Sequence, residues 1–299
     1  MVRANVMSSN FNPNENAIVT TLYSDAYAPA VAALGHSLNK VNPSARLIVL
    51  YIPSQVSASA LCLATASGFT PHPVHRIPPP HNGTGIEPRF SDQYTKLTLW
   101  TLDTLPEPVR ALVYIDADAL VLRNFDELFS LPYHFAAVPD VYGGVRGFTT
   151  GVNAGVMFLR PDSKLFRAMV DALPQAKFPP TMAEQAFFNQ YFATDVLRLP
   201  YAYNGNLALK QRSPHVWSGI KDEMRIIHYT LIKPFITKEW GVVSLDQMQE
   251  RVKEASGSYG GLFHDEMSHW GNVWEETRTT YAQRIEGCST AIGMAPAGQ

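Results

Sequence analysis

The residues best placed to do chemistry sit at the end of an apolar run. Ala111–Ile115 reads as a short buried strand, and it stops abruptly at Asp116-Ala117-Asp118. In open α/β sheets ligands bind beyond the carboxyl ends of strands. Two carboxylates at such an end make a negative site whose natural partner is a hard divalent cation, Mg²⁺ or Mn²⁺. Two surface acids at this spacing also arise by chance, so the strand-end position is what favours metal binding.

Three further constellations deserve the same question. Gly151-Val152-Asn153-Ala154-Gly155 lies between a glycine-rich approach, Tyr142-Gly143-Gly144, and an apolar segment. Glycine lets a backbone approach a ligand closely and the Asn amide offers donor and acceptor to a polyol; the bland alternative is a tight strand-entry turn. The spacing is neither a Walker nor a dinucleotide phosphate loop. Glu184-Gln185 opens a Phe-rich helix, where the carboxylate either caps the helix or stands beside a reacting carbon. Finally, His228 ends a strand and is followed by Lys233-Pro234. An imidazole completes a metal site begun by two Asp, an ammonium holds a phosphate oxygen, and the bland reading of this His is a satisfied polar residue.

Combined, these residues describe one site: Asp116, Asp118 and His228 for a metal, Lys96 and Lys233 for phosphate charge, and Asn153 with Glu184-Gln185 for a sugar. A metal-dependent transferase of nucleotide-activated sugars needs such a set, because the charge of its diphosphate leaving group must be neutralised as the bond breaks.

The elements that would position this site read as an α/β chain with a largely parallel sheet. Strands are expected at Ala17–Leu22, Leu47–Ile52, Ala111–Ile115, Phe135–Pro139, Val156–Leu159 and Arg225–Ile227. Helices are expected at Asp25–Asn39, with Asp25 as N-cap, and at Ser57–Ser67, Gln93–Leu102, Lys164–Leu173, Met182–Tyr191 and Leu245–Glu254; Phe125–Phe129 reads as one helical turn. The five prolines of Thr70–Gly85 exclude helix and leave a loop with a short strand at Val74–Ile77. Residues 1–16 read as a flexible segment, 17–286 as one domain and 287–299 as a disordered tail, with no internal repeat.

Of 299 residues, 46% are hydrophobic and 17% charged, with a formal net charge of −2. This balance excludes a disordered chain, a collagen-like repeat and a nucleic-acid binder. It also means that an anionic ligand must be attracted locally, by a bound cation and nearby lysines, so chelation by EDTA should abolish activity. Cys62 and Cys288 stand far apart, form no metal or redox spacing, and read as reduced thiols of a cytoplasmic protein. The first sixteen residues lack an apolar core and read as neither signal peptide nor anchor, and no apolar run reaches a bilayer span. The sequon Asn82-Gly83-Thr84 is accordingly read as chance.

The chain resembles the family 8 glycosyltransferases, the retaining enzymes that include glycogenin and plant galactinol synthase. The matching residues, in family order, are Ser24-Asp25-Ala26-Tyr27, Lys96-Leu97 with Trp100, Val113–Asp118, Asn153–Val156, Glu184-Gln185 with Asn189, and His228-Tyr229 with Lys233-Pro234-Phe235. The resemblance implies a single-domain, Rossmann-like nucleotide-sugar transferase fold of GT-A type, with a mixed, mostly parallel central sheet flanked by helices. It also implies a UDP-sugar donor and Mn²⁺ or Mg²⁺. By position, Asp116, Asp118 and His228 would hold the metal. Thr21, Tyr23, Ser24 and Tyr27 would surround the uridine, with the backbone of Ala117 at the ribose. Lys96, Asn153, Ala154 and Gly155 would reach the donor sugar or its phosphates, and Lys233 and Arg89 the phosphates.

Two departures are visible. Glycogenin has Asp-Gln where this chain has Glu184-Gln185, which is closer to galactinol synthase, and the His228-to-Lys233 loop is shorter than in glycogenin and lacks its Gly. The implied reaction moves a hexose to a hydroxyl of a sugar, polyol or lipid-linked acceptor with retention of the α configuration. Gln185 or Glu184 would lie near the anomeric carbon as stabiliser or nucleophile. A glycogenin-like self-glucosylating primer is the alternative within this class, and a catalytically silent UDP-sugar-binding protein the alternative outside it. A phosphatase of the haloacid-dehalogenase type also uses D-x-D after a strand, but near its N-terminus and with a different continuation. A homodimer is compatible with the reading.

Overall fold

In the computed structural model, which describes residues 13–141, 149–237 and 239–290, the first apolar run becomes β1 (Asn16–Leu22) with every residue buried. A strand buried on both faces belongs in the middle of a sheet covered by helices. The others are β2 (Arg46–Tyr51), β3 (Thr70–Pro73), β4 (Ala111–Ile115), β5 (Ala119–Val121), β6 (Phe135–Pro139), β7 (Val152–Leu159), β8 (Leu197–Arg198), β9 (Gly205–Asn206) and β10 (Ile226–His228). Seven of them form one sheet in the order β3-β2-β1-β4-β7-β6-β8. Only β7 runs against its neighbours, so the sheet is mixed and mostly parallel. A second sheet, β5-β10-β9, packs beside it.

Alternation along the strands assigns two layers. Ile18, Val113 and Ile115 pack with Val31 and Leu34 of α1 (Ala28–Val41) and with Ala60 and Ala64 of α2 (Ala58–Thr65). Ala17, Val19, Leu112 and Tyr114 pack on the other face, against the helical segment Gln93–Thr104 and Phe187 and Phe188 of α4 (Ala183–Tyr191). Each fully buried side chain of this size contributes about 1.5–3 kcal/mol. α3 (Ser163–Ala172) is capped by Asp162, which accepts from the amides of Lys164 and Leu165. α5 (Leu207–Arg212) and α6 (Pro214–Ile220) lead to β10. α7 (Met248–Gly257), α8 (His264–Thr280) and α9 (Ala282–Thr290) close the chain. A third apolar cluster joins Ala30 and Ala33 of α1 to Leu120, Ile227, Trp270 and Trp274.

Several expectations need correction. Asp25 does not cap α1; its carboxylate accepts from the Ser57 amide at 2.8 Å, tying the first turn to the start of α2. The short strand after the second helix is Thr70–Pro73 rather than Val74–Ile77, an edge strand where proline is tolerated. Gln93–Thr104 winds as 3₁₀ helix. Threonines every third residue account for that: Thr98, Thr101 and Thr104 each donate a hydroxyl to the carbonyl three residues back. Residues 287–290 of the expected tail are helical, and 291–299 lie outside the described residues, as do residues 1–12 and Tyr142-Gly143-Gly144.

The largest correction concerns the cysteines. Cys62 on α2 and Cys288 on α9 form a disulfide, with Cα atoms 5.5 Å apart. Distance along the chain said nothing about distance in space, because α9 packs on α2. The step from reduced thiols to a cytoplasmic protein therefore loses its premise, since disulfides persist chiefly in oxidising surroundings. No described helix is long and apolar enough to cross a membrane.

Candidate active site

The turn Asp116-Ala117-Asp118 connects β4 of the large sheet to β5 of the small one. β5 pairs antiparallel with β10, setting Ala119 opposite His228. β7 runs antiparallel to β4, so its first residues lie at the carboxyl end of β4, and the Asp116 amide donates to Gly155 O at 2.8 Å. Two ladders thus bring three distant segments together. Ligand atoms of Asp116, Asp118 and His228 all lie within 4.8 Å of one another. His228 Nε2 is 3.3 Å from Asp118 Oδ1 and 3.8 Å from Asp116 Oδ2.

Two lysines flank the triad. Lys233 Nζ lies 2.7 Å from Asp118 Oδ2 and donates to the carbonyls of Tyr229 and Thr230, which fix it over the acid. Burial alone would raise the Asp118 carboxyl, but Lys233 and His228 outweigh it and hold it well below the usual carboxylate range. Lys96 sits between Asp116 Oδ1 at 2.9 Å and Glu184 Oε1 at 2.8 Å. Burial pushes the Lys96 ammonium down, but Asp116 and Glu184 overcome this and raise it, so it stays charged. Burial raises the Glu184 carboxyl, and Lys96 opposes that rise. Tyr114 donates to Asp116 Oδ1 at 2.5 Å. Its single proton is then used, so the Thr21 hydroxyl, 3.0 Å away, donates to the Tyr114 oxygen.

The sugar-facing candidates form a second, connected network. Gln185 Nε2 donates to Asp140 Oδ2 at 2.8 Å, and Gln185 Oε1 accepts from the Ala154 amide and from Asn153 Nδ2. Asn153 Nδ2 also reaches Asp140 Oδ1 at 3.2 Å. Ala183, just before Glu184-Gln185, has φ 47° and ψ −135°, a conformation that L residues rarely adopt and that surrounding packing must enforce.

One cavity of about 480 Å³ is lined by Thr21, Tyr23, Ser24, Tyr27, Arg89, Lys96, Asp116, Ala117, Asp118, Asn153, Ala154, Gly155, Glu184, Gln185, His228 and Lys233. The structure therefore brings together every residue to which the sequence assigned a metal, donor or catalytic role, with three adjustments. Arg89 is stacked between the rings of Phe90 and Trp240, at 4.5 and 4.7 Å, and paired with Glu87. Glu184 is the buried partner of Lys96 rather than a free helix cap. Gly151–Gly155 is no entry turn, because β7 already begins at Val152.

Sequence reasoning missed Asp140, Asn204, Tyr114 and Trp240. Asp140 carries the same signal as Asp116, an acid directly after an apolar strand. Asn204 carries none: it is 1% exposed and acts only through contacts with residues far along the chain.

The profile described as "Glycosyl transferase family 8" matches residues 18–240. The chain is 30% identical over 273 residues to glycogenin-1 of Oryctolagus cuniculus, covering 89% of this chain and 76% of that one. It is 28% identical over 242 residues to glycogenin of Neurospora crassa, covering 78% of this chain but only 34% of the Neurospora protein. Among solved structures, a galactosyltransferase, LgtC, in complex with donor and acceptor sugar analogues superposes with a TM-score of 0.50 at 16% identity, covering 82% of this chain and 99% of that one. The fold is thus that of the GT-A glycosyltransferases.

Proposed function

Since the chain belongs to glycosyl transferase family 8, we propose that it moves a hexose from a UDP-sugar to an acceptor hydroxyl with retention of the α configuration, dependent on Mn²⁺ or Mg²⁺. The observation that carries this reading is the convergence of Asp116, Asp118 and His228, flanked by Lys96 and Lys233 in one cavity. The donor set fits a divalent cation: two carboxylates and an imidazole nitrogen face one another from three different ligand atoms. A cation held there would neutralise the diphosphate as it departs.

The chain's own groups supply the rest. Lys233 brings a positive charge to the same oxyanion from the β10 side, and Lys96 does so from beneath Asp116. Gln185, held at both ends by Asp140, Asn153 and Ala154, offers a fixed dipole beside the anomeric carbon and suits stabilisation better than covalent attack. The bond from the anomeric carbon to the diphosphate oxygen breaks as the acceptor oxygen bonds from the same face. The acceptor proton passes to the departing phosphate oxygen.

Release of UDP from a panel of UDP-hexoses, with sugar, polyol and lipid-linked acceptors, tests the proposal. Activity should vanish with EDTA and return with Mn²⁺, and Asp118→Ala should abolish it. Full activity of Asp118→Ala at saturating Mn²⁺ would sink the assignment, and donor binding without any UDP release would mark a silent binding protein. The similarity to rabbit glycogenin-1 supports a second reading, a self-glucosylating primer. Mass spectrometry after incubation with UDP-glucose alone separates the two: added hexoses support the primer, and an unchanged mass an external acceptor.

A further inference from the structure

The ring of His228 has a second partner besides the acids it faces. Its Nδ1 lies 3.0 Å from Asn204 Oδ1, and Asn204 Nδ2 lies 2.9 Å from Asn153 Oδ1. Which end of each amide points where follows from one fixed donor. The Gly155 backbone N–H meets an Asn153 side-chain atom at 3.0 Å, and that atom must therefore be the carbonyl oxygen. The other end of Asn153 then donates, and its partners Asp140 Oδ1 and Gln185 Oε1 are acceptors, as required. Because Asn204 also approaches Asn153 Oδ1, it must present its amino group there and its oxygen to His228. An oxygen that only accepts requires the proton on Nδ1. Nε2 is left as the ligating nitrogen, aimed at Asp118 and Asp116.

The backbone holds Asn204 for this task. It precedes β9, whose parallel pairing with β10 sets Asn206 beside His228 and Gly205 beside Ile227. Its own amide is used by Tyr201 O and its carbonyl by the Asn206 amide. With 1% exposure, water does not compete for the side chain.

We propose that Asn204 is a positioning residue that sets the tautomer and ring plane of His228, preparing Nε2 as a metal ligand and linking that ligand to the sugar-facing residues Asn153 and Gln185 and to their partner Asp140. This rests on the reading of Asp116, Asp118 and His228 as a divalent-cation site. Partners that orient a metal-binding His typically change metal affinity by about 10–100-fold when removed.

The test is Mn²⁺ binding to the full chain without donor, followed by the electron paramagnetic resonance of free Mn²⁺. Asn204→Ala should weaken binding by about 10–100-fold. Spin-echo modulation of bound Mn²⁺ in ¹⁵N-histidine-labelled protein should show an imidazole nitrogen in the wild type and lose it in Asn204→Ala. Asn204→Asp keeps an oxygen for Nδ1 but sets a second acceptor against Asn153 Oδ1, so it should restore the nitrogen signal while recovering only part of the affinity; it also serves if Asn204→Ala does not fold. Tight wild-type binding that Asn204→Ala leaves unchanged, or a lost signal that Asn204→Asp does not restore, overturns the role of Asn204 alone. A wild type that fails to bind Mn²⁺ overturns the metal reading and this role with it.

Discussion

Gly155 and His228 touch so closely that a Cβ on residue 155 would stand 2.1 Å from the imidazole Cε1 and 2.7 Å from Nδ1. Gly155 lies inside β7, where a glycine weakens a strand unless close approach requires it. The ring of His228 is 3% exposed and tied to Asn204, so it has nowhere to retreat. Gly155→Ala should push the ring off the acids. It should cost about 1–3 kcal/mol of stability, the usual range for overpacking, and Mn²⁺ binding should fall. Urea unfolding and a Mn²⁺ titration measure the two effects; a variant with wild-type Mn²⁺ affinity would show that the glycine serves only the strand.

Lys96 and Glu184 form a buried pair, 2% and 5% exposed. Removing one member of such a pair strands the other charge, at about 3–5 kcal/mol. Lys96→Met should therefore destabilise strongly, Asp116 being the carboxylate with some access to solvent. Adding Glu184→Gln to Lys96→Met should recover a large part of that loss without restoring activity. Denaturant midpoints for the two single variants and the double variant would decide this, and strictly additive losses would count against it.

Lys233 has a different balance, since its partner Asp118 would gain a cation when the site is loaded. Lys233→Met should lower kcat for UDP release by about 10²–10³-fold, as expected for loss of one preorganised charge. The acceptor KM should change little. A large rise in acceptor KM with unchanged kcat would place Lys233 in acceptor binding instead.

The Glu276 carboxylate joins α8 to α1 by accepting from Lys40 Nζ at 2.6 Å and facing His36 Nε2 at 3.2 Å. The hydrogen bond from Lys40, then that from His36, depresses its pKa. A carboxylate depressed in the folded state stabilises above its unfolded pKa, and that contribution disappears as pH falls through the folded value. Because Glu276 and Lys40 are about half exposed, solvent screening limits the effect to roughly 0.2–1 kcal/mol. Glu276→Gln should lower Tm slightly at pH 7 and match the wild type in strong acid; an equal difference at both pH values would point to packing.

The central strands were the most legible part of the fold, because β4 and β6 are uninterrupted apolar runs and in β1 and β2 only Asn16, Thr20-Thr21 and Arg46 depart from that pattern. Asp116, Asp118, Glu184, Gln185 and His228 were legible because each lies at a strand or helix end, where sequence patterning changes. What escaped depends on contacts between distant residues. No local pattern distinguishes Asn204 from any other buried Asn, nor joins Cys62 to Cys288. The 3₁₀ winding of Gln93–Thr104 was half visible, in its threonines at every third position. Helix α8 had a usable signal, since Phe263, Met267, Trp270, Trp274 and Thr277 are buried at alternating steps of four and three. Frequent polar residues between them obscured it.

The Cys62–Cys288 bond also changes what kind of object the chain is. With its ends 226 positions apart, it makes Cys62 to Cys288 a covalent ring, and Lys96, the Asp116–Asp118 turn, Gln185, His228 and Lys233 are all on it. Thr21, Tyr23, Ser24 and Tyr27 lie on the segment of chain that precedes that ring. A single backbone cut in any exposed loop between the two cysteines opens the ring without dividing the protein, and both sides of the cavity remain one molecule until the disulfide is reduced.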